Sequence, residues 1–219
     1  LIAQLLGHAC QRRIAREMQS VRDAGAELVV VVGGGNLVRG RDFEGSGVDP
    51  SAADSMGMMA TVINGVAVRC ALEELGVDAR LQSAIPVRGA AEAYDRLESL
   101  RHLAQGRVLI CAGGTGNPHF TTDTGAALRA RDLGAAAVLK ATNVDGVYRS
   151  DPRKVKTARR FKRLSYREVI RRELKVMDLT AVALCREGGI PVLVFDLDVP
   201  GNVLRAACGE DIGTWIGED

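Results

Sequence analysis

The sequence predicts an α/β sandwich with a mostly parallel sheet, and two observations support this. Short apolar runs occur along the chain, and longer stretches of helical pattern lie between them. Continuous apolar runs are typical of strands that are buried on both faces. Strands that alternate with helices form parallel sheets covered by those helices. The four predicted strands are residues 27–32, 107–112, 136–140 and 191–195.

Helices are predicted between these strands. In residues 8–24, Ile14, Met18 and Val21 recur at spacings of four and three, which indicates an amphipathic helix. Further helices are predicted at residues 54–75, 121–133, 178–186 and 202–208. Met56, Met58 and Met59 are expected in the core. Residues 39–51 and 148–163 are predicted to be loops, because they are rich in charged residues and lack a periodic apolar pattern.

Length and composition restrict the class of protein. The chain has 219 residues, which suits one domain with a substantial core. Hydrophobic residues make up 47% of the chain and charged residues 26%, as in ordinary globular proteins. A net charge of +2 and an aromatic content of 4% argue against a nucleic-acid partner. No apolar run approaches the roughly 20 residues that span a bilayer, so no membrane partner is expected.

Cysteine and histidine usage points to a cytoplasmic protein without a metal centre. The five cysteines are scattered, and none form a C-x-x-C pair, which favours reduced, buried thiols. The three histidines are far apart in sequence, so no cluster of metal ligands is predicted. No signal peptide is visible, and a cytoplasmic location is therefore expected.

The first glycine loop follows the first predicted strand. Residues 32–40 read Val-Gly-Gly-Gly-Asn-Leu-Val-Arg-Gly, in which glycine amides and Arg39 suit an anion such as phosphate. A helix N-terminus close behind is expected to add positive potential. The Gly-x-Gly-x-x-Gly fingerprint of dinucleotide-binding proteins is not matched, because Val38 stands where its third glycine belongs. A Walker A loop is excluded, since the chain has no Gly-Lys dipeptide.

A second glycine-rich loop follows the second predicted strand. Residues 113–123 read Gly-Gly-Thr-Gly-Asn-Pro-His-Phe-Thr-Thr-Asp. One of Thr121, Thr122 and Asp123 is expected to cap the next helix. Capping does not explain the preceding Thr-Gly-Asn-Pro segment, which is typical of a ligand loop. His119 is open to two interpretations, a ligand contact or an ordinary loop residue.

A third motif and two acidic residues are the remaining candidates for ligand contacts. Residues 140–148 read Lys-Ala-Thr-Asn-Val-Asp-Gly-Val-Tyr, where a predicted strand ends in a lysine and small polar residues. An Asp-Gly turn alone would account for the end of this motif but not for Lys140. Asp54 and Asp178 each precede a predicted helix, so each is a candidate N-cap as well as a candidate ligand contact.

Together these motifs resemble the bacterial UMP kinase family, a branch of the amino-acid kinase superfamily. The glycine loops and the third motif occur in the family's order, together with Asp-Ser-Met-Gly-Met-Met-Ala-Thr and Leu-Lys-Val-Met-Asp. The resemblance extends from about residue 8 to the end of the chain. It implies a three-layer fold that is not a P-loop fold, with ATP and Mg²⁺ converting UMP to UDP. It also implies a single domain over residues 1–219, with an acceptor part over about 1–135 and an ATP part over about 136–219.

The resemblance also implies the roles of individual residues. Arg39, Lys140 and Asp178 would serve catalysis, with Lys140 and Asp178 near the phosphates or the metal ion. The implied ATP contacts are Gly35, Arg39, Thr142, Asn143, Tyr148 and Asp151. The implied UMP contacts are Gly34, Asp54, Thr115, Gly116, Asn117, Pro118, His119, Phe120, Thr121 and Thr122. Asp54 would bind the ribose hydroxyls of UMP. The resemblance further implies a homohexamer that is activated by GTP and inhibited by UTP.

One departure from the family concerns the start of the chain. Family members begin with a strand that carries Lys-x-Ser-Gly, and residues 1–7 do not contain it. Because the chain starts with Leu1 rather than methionine, we expect a leading segment that supplies this lysine.

Three other functions are compatible with parts of this sequence. A sister kinase of the same fold would phosphorylate a carboxylate or a carbamate. A non-catalytic nucleotide sensor or storage protein would keep the fold without turnover. A Rossmann oxidoreductase would bind NAD, although the failed fingerprint argues against it.

Overall fold

The computed structural model describes residues 8–43, 45–150, 155 and 157–218, with the side chains of residues 8–10, 40 and 41 excepted. Within it the chain forms two compact units, one ending at Gly125 and one beginning at Ala126. The predicted α/β class is confirmed, because helices alternate with strands that are mostly parallel. The assignment of an acceptor part and an ATP part, meeting near residue 135, remains a prediction.

The first unit contains a four-stranded sheet in the order β1-β4-β2-β3, and all of its strand pairs are parallel. Helices alternate with these strands, and a short 3₁₀ helix occupies Gly40–Phe43. The elements are α1 (His8–Asp23), β1 (Val29–Val31), α2 (Pro50–Glu73), β2 (Ala79–Ser83), β3 (Glu92–Ala93), α3 (Arg96–Ala104), β4 (Val108–Ala112) and α4 (Thr122–Leu133), which contains the boundary between the units.

The core of the first unit lies where α1 and α2 pack on the sheet. Ile14 and Met18 of α1 and Leu72 of α2 belong to one cluster of buried side chains with Leu81 and Ile110 of the sheet. α2 approaches the sheet closely, because a Cβ added at Gly65 would lie 2.7 Å from the Leu81 side chain. Burial of these apolar side chains is the main force that stabilises the unit.

The N-terminus of α2 differs from its prediction. The helix begins at Pro50, and the Asp49 side chain accepts a hydrogen bond from the Ala52 amide, so Asp49 is its N-cap. Asp54 therefore lies in the second turn of the helix, and its interpretation as an N-cap is wrong. Proline at the first helical position has no amide to leave unsatisfied, which favours a start at this point.

The second unit contains another four-stranded sheet, in the order β5-β7-β8-β6. The β5–β7 and β6–β8 pairs are parallel, whereas β7 and β8 are antiparallel. The elements that follow α4 are β5 (Val138–Thr142), β6 (Arg163–Ser165), α5 (Tyr166–Arg171), α6 (Leu179–Glu187), β7 (Val192–Asp196), α7 (Asn202–Ala207) and β8 (Thr214–Gly217).

Tyr166 anchors the core of the second unit. Its ring is 2% exposed, and its hydroxyl donates a hydrogen bond to the Ile190 carbonyl. Burial raises the pKa of this hydroxyl, since the ionised form would lose its hydration. Ser165 caps α5 in a reciprocal capping box with Glu168. Tyr166 is thus fixed at both its backbone and its hydroxyl.

Some predicted boundaries and elements were wrong. The third predicted strand runs over Val138–Thr142, so Lys140 lies in the middle of β5 rather than at its end. Short or half-exposed elements were missed, because they lack an apolar run: these are β2, β3, α3, β6, α5 and β8. Met59 is 51% exposed, which corrects its expected place in the core.

The cysteines correct one further expectation, and the length and hydropathy of α2 bear on another. Of the four described cysteines, all free, Cys111 and Cys185 are buried as expected, whereas Cys70 and Cys208 are exposed. Among the described residues, α2 alone is long and apolar enough to cross a membrane, with a mean hydropathy of 1.3 in one window. Core helices meet the same criterion, and 44% of this window is buried inside the protein.

We predict that Gly213→Ala destabilises the protein by about 3 kcal/mol, because the added methyl would overlap the Val194 carbonyl oxygen. Gly217→Ala is the matched control in β8, where nothing lies within 4 Å of the added atom. Its free energy of unfolding is expected to change by less than about 1 kcal/mol. Urea denaturation measures both variants, and equal stabilities would contradict the packing described here.

Candidate functional site

Both glycine-rich loops of the first unit leave the same edge of its sheet. β1 and β4 are parallel neighbours, with Val31 opposite Cys111, and the two loops follow their carboxyl ends. In open α/β sheets, ligands bind beyond the carboxyl ends of the strands. The topology therefore brings the first and second motifs of the sequence together at one candidate site.

The first loop is held by its own turn and by α2. The Leu37 and Val38 amides donate to the Gly34 carbonyl, and Arg39 Nε donates to the Gly35 carbonyl. A side chain at Gly34 would lie 2.5 Å from the Gly57 carbonyl oxygen, so this glycine permits the loop to pack on α2. Residues 35–37 of this loop form a turn, and the helix that follows closely is the short 3₁₀ helix Gly40–Phe43.

The second loop depends on glycines with left-handed backbone. Gly113 and Gly116 have φ of 76° and 84°, and the Gly116 amide donates to the Gly113 carbonyl. Thr115 Oγ1 accepts from the Asn117 amide at 3.2 Å. Thr121 Oγ1 accepts from the Asp123 and Thr124 amides, so Thr121 is the residue that caps α4. Phe120 is half exposed, and the neighbouring residues of the loop leave polar groups at the surface.

Asp54 joins α2 to the second loop. Its Oδ2 accepts a hydrogen bond of 2.8 Å from the His119 amide, and His119 Nδ1 lies 3.7 Å from the same oxygen. His119 has φ of 70°, an uncommon conformation for a residue with a side chain. Its Nε2 lies 3.3 Å from Ser51 Oγ at the start of α2. The structure thus brings Asp54 and His119 together, as the sequence did not predict.

Two buried polar residues of α2 were also missed. Asn64 donates to the Gly33 carbonyl at 2.7 Å and to Asn36 Oδ1 at 2.6 Å, while Thr61 Oγ1 accepts from the Gly113 amide at 2.6 Å. Both interrupt an otherwise apolar helix with a spacing of three, which places them on one face. Polar residues on an otherwise apolar helix face were therefore the sequence signal from which Thr61 and Asn64 could have been predicted.

In the second unit, β5 and β7 end side by side, with Thr142 opposite Asp196. Thr142 Oγ1 donates to the Val144 carbonyl and accepts from the Val144 amide, which closes a tight turn after β5. Lys140 lies two residues earlier on the same strand, and Asn143 is exposed just beyond it. The edge beyond β5 and β7 is the candidate ligand edge of this sheet.

Tyr148 is fixed near that turn by two charged residues. Its hydroxyl donates to Asp145 Oδ1 at 2.7 Å, and Arg160 lies 3.3 Å from the other Asp145 oxygen. The hydrogen bond to Asp145 raises the pKa of the Tyr148 hydroxyl, and burial acts in the same direction. Asp151, the last predicted ATP contact, lies outside the described residues.

Asp178 has a structural role that its sequence position predicted. Its Oδ1 accepts a hydrogen bond of 3.0 Å from the Ala181 amide, and it is the N-cap of α6. A side chain that caps a helix through one oxygen retains acceptor capacity on the other. Capping and a ligand contact are therefore compatible for Asp178.

A separate cavity of about 400 Å³ lies in the first unit, between α2 and β2. Its lining carries both charge signs, with Arg69 and Arg80 as well as Glu73 and Glu92. Arg69 Nε is buried without a hydrogen-bond partner, although Glu73 Oε1 lies 3.7 Å away. Among the described residues there is no group of three or more His, Cys, Asp or Glu that could hold a metal ion.

Comparison with known proteins agrees with this arrangement. The model of the amino acid kinase family matches residues 5–196. A uridylate kinase of Paramagnetospirillum magneticum is 55% identical over 207 residues, which are 94% of this chain and 86% of that protein. A uridylate kinase of Zymomonas mobilis is 50% identical over 93% of this chain and 84% of its own length.

A solved structure gives the same result. The crystal structure of UMP kinase from Bacillus anthracis matches with a TM-score of 0.93 and 38% identity, covering 95% of this chain and 86% of that one. The chain therefore belongs to the amino acid kinase family, and within that family it is similar to uridylate kinases over nearly all of its length.

Proposed function

We propose that this chain is an ATP-dependent UMP kinase, which transfers a phosphoryl group from ATP to UMP and releases ADP and UDP. One observation carries the proposal: two glycine loops and Asp54 meet at one sheet edge in a chain that is similar to uridylate kinases. The glycine loops offer backbone amides to phosphate, and Asp54 offers a carboxylate to hydroxyl groups.

The acceptor UMP is assigned to the first unit. Gly34 would face its phosphate, and the Asp54 carboxylate would accept hydrogen bonds from the ribose hydroxyls. The second loop would wrap the nucleotide through Thr115, Gly116, Asn117, Pro118, His119, Phe120, Thr121 and Thr122. The hydrogen bond between Asp54 and the His119 amide supports this assignment, because it links the ribose contact to the wrapping loop.

The donor ATP is assigned mainly to the second unit. Thr142, Asn143, Tyr148 and Asp151 would surround it, while Lys140 would approach its phosphates. Gly35 and Arg39, in the first unit, would contact the transferred group. The ending of β5 and β7 at one edge supports the donor site, since both strands deliver their loops to the same place.

Mg²⁺ fits this site as an ion carried by the nucleotide. Magnesium is usually held by one or two carboxylates together with substrate phosphates and water. Asp178 is the residue proposed to approach the ion. When bound, Mg²⁺ neutralises charge on the phosphate oxygens.

The chain's own residues supply position and charge rather than acid–base chemistry. The acceptor of this reaction is a phosphate oxygen, which needs no strong base to remove a proton. Amides of the glycine loops, Arg39 and Lys140 would orient the phosphates and stabilise negative charge during transfer. A reactive cysteine or histidine is therefore not required.

Assembly, regulation and location follow from the resemblance to the family. A homohexamer is proposed, and the exposed apolar side chains Met59 and Ile63 on α2 support contact with another copy. GTP activation and UTP inhibition are proposed without an assigned site. A cytoplasmic location is supported by the exposed free thiols of Cys70 and Cys208, which an oxidising compartment would oxidise.

We predict that Asp54→Asn raises the KM for UMP about tenfold or more, because an amide replaces the charged acceptor of the ribose hydroxyls. The KM for ATP is expected to change far less. Asp49→Asn is the control on the same helix, since asparagine also caps helices well. Steady-state kinetics with the full-length protein measure both constants, and equal changes in the two KM values would contradict the ribose role.

A second prediction separates the two roles of Asp178. Asp178→Ser keeps an N-cap and should change the free energy of unfolding by less than about 0.5 kcal/mol. Its kcat is expected to fall at least about tenfold, because the negative charge beside the phosphates and Mg²⁺ is lost. Thermal unfolding and turnover of the same preparation measure both effects. An unchanged kcat would reduce Asp178 to a helix cap.

A further inference from the structure

One face of α2 contacts both glycine loops through buried polar side chains. Thr61 is 4% exposed and Asn64 is 0% exposed, and they lie three positions apart in the helix. Asn64 binds the first loop at the Gly33 carbonyl and at Asn36, whereas Thr61 accepts from the Gly113 amide at the start of the second loop. Each side chain therefore satisfies backbone groups that would otherwise be buried without a partner.

These contacts set where each loop lies. Gly34 packs on α2 without a side chain, so Asn64 is the polar attachment of this part of the loop to the helix. The Asn64 and Asn36 amides bond to each other in both directions, which fixes the orientation of both. The second loop is tied to the same helix twice, at Gly113 by Thr61 and at His119 by Asp54.

We propose that Thr61 and Asn64 are positioning residues of the acceptor site, each acting on a different loop. Thr61 holds the loop that wraps UMP. Asn64 holds the first loop, in which Gly34 would face the UMP phosphate and Gly35 and Arg39 would contact the transferred phosphoryl group. The proposal rests on the function proposed above, because it takes the ligand of each loop from that function. The two residues should consequently affect different kinetic constants although they lie one helical turn apart.

The Thr61 arm of the test removes one hydroxyl. Thr61→Val preserves shape but leaves the Gly113 amide buried without an acceptor, and the KM for UMP is expected to rise about tenfold. The kcat should stay within about twofold, because the first loop is untouched. Thr61→Ser keeps the hydroxyl and should restore the KM, which a loss of packing alone would not explain.

The role of Asn64 is tested by substituting its partner, Asn36. Because Asn36 is less buried than Asn64, its substitution is less prone to unfold the protein. Asn36→Ala removes the reciprocal amide pair and leaves Asn64 in place. The kcat is expected to fall about tenfold, because the groups that contact the transferred phosphoryl group are displaced. The KM for UMP should rise less than in Thr61→Val, since Gly34 alone in this loop faces the acceptor. The two different patterns together support the proposal.

Val68→Ala is the control for loss of stability alone. Val68 is a buried core residue of the same helix and belongs to the apolar cluster of the first unit. The variant should lower the melting temperature and leave kcat and KM for UMP near those of the wild type. If Val68→Ala shifts the same constants as Thr61→Val and Asn36→Ala, or if those two variants share one pattern, the proposal is overturned.

Hydrogen exchange separates this proposal from the proposed function, since it needs no substrate. In Thr61→Val, the peptide that contains the Gly113 amide should exchange about tenfold faster. The peptide that contains the Leu37 and Val38 amides, which donate to the Gly34 carbonyl of the first loop, should be unaffected. Asn36→Ala should give the converse result. Unchanged exchange in both variants would overturn the positioning role, whereas a wild type inactive toward UMP would overturn the proposed function instead.

Discussion

The site depends on hydrogen bonds between one helix, α2, and two glycine loops. Glycine loops can approach a phosphate closely, but they have no side chains with which to fix themselves. Thr61 and Asn64 of α2 meet this requirement by pairing with backbone groups at Gly113 and Gly33. An unpaired polar group at such buried positions would destabilise the loop conformation, so the fold and the ligand site share the same contacts.

The same helix also carries Asp54, which ties the second loop to α2 at the proposed acceptor site. Asp54 lies two turns before Thr61 and bonds to the His119 amide in the second loop. A reaction that relies on position and charge, without a nucleophile from the protein, is sensitive to small displacements of these groups. α2 is in turn packed on the sheet through close contact at Gly65, which transmits the order of the core to the loops.

The sequence predicted the α/β class, because four buried strands have continuous apolar runs, and it predicted the motifs that lie at strand ends. It did not predict β3, whose two residues are both exposed, or β6, which has three residues of which one is buried. Neither strand is long enough to leave a pattern. It offered Asp54 as a candidate N-cap, although Asp49 and Pro50 provide a stronger start one turn earlier. The contacts of Asn64 and Thr61 join residues 28 to 52 positions apart, and no local pattern specifies such pairs.

The most direct measurement of the proposed function is ADP release by the full-length protein with ATP, Mg²⁺ and one acceptor at a time. The acceptors are UMP, CMP, AMP, GMP, a carbamate and a carboxylate substrate. Turnover is expected to be selective for UMP, since Asp54 and the second loop are the residues proposed to bind it. Turnover of the carboxylate or carbamate in preference to UMP, or UMP binding without any turnover, would contradict it.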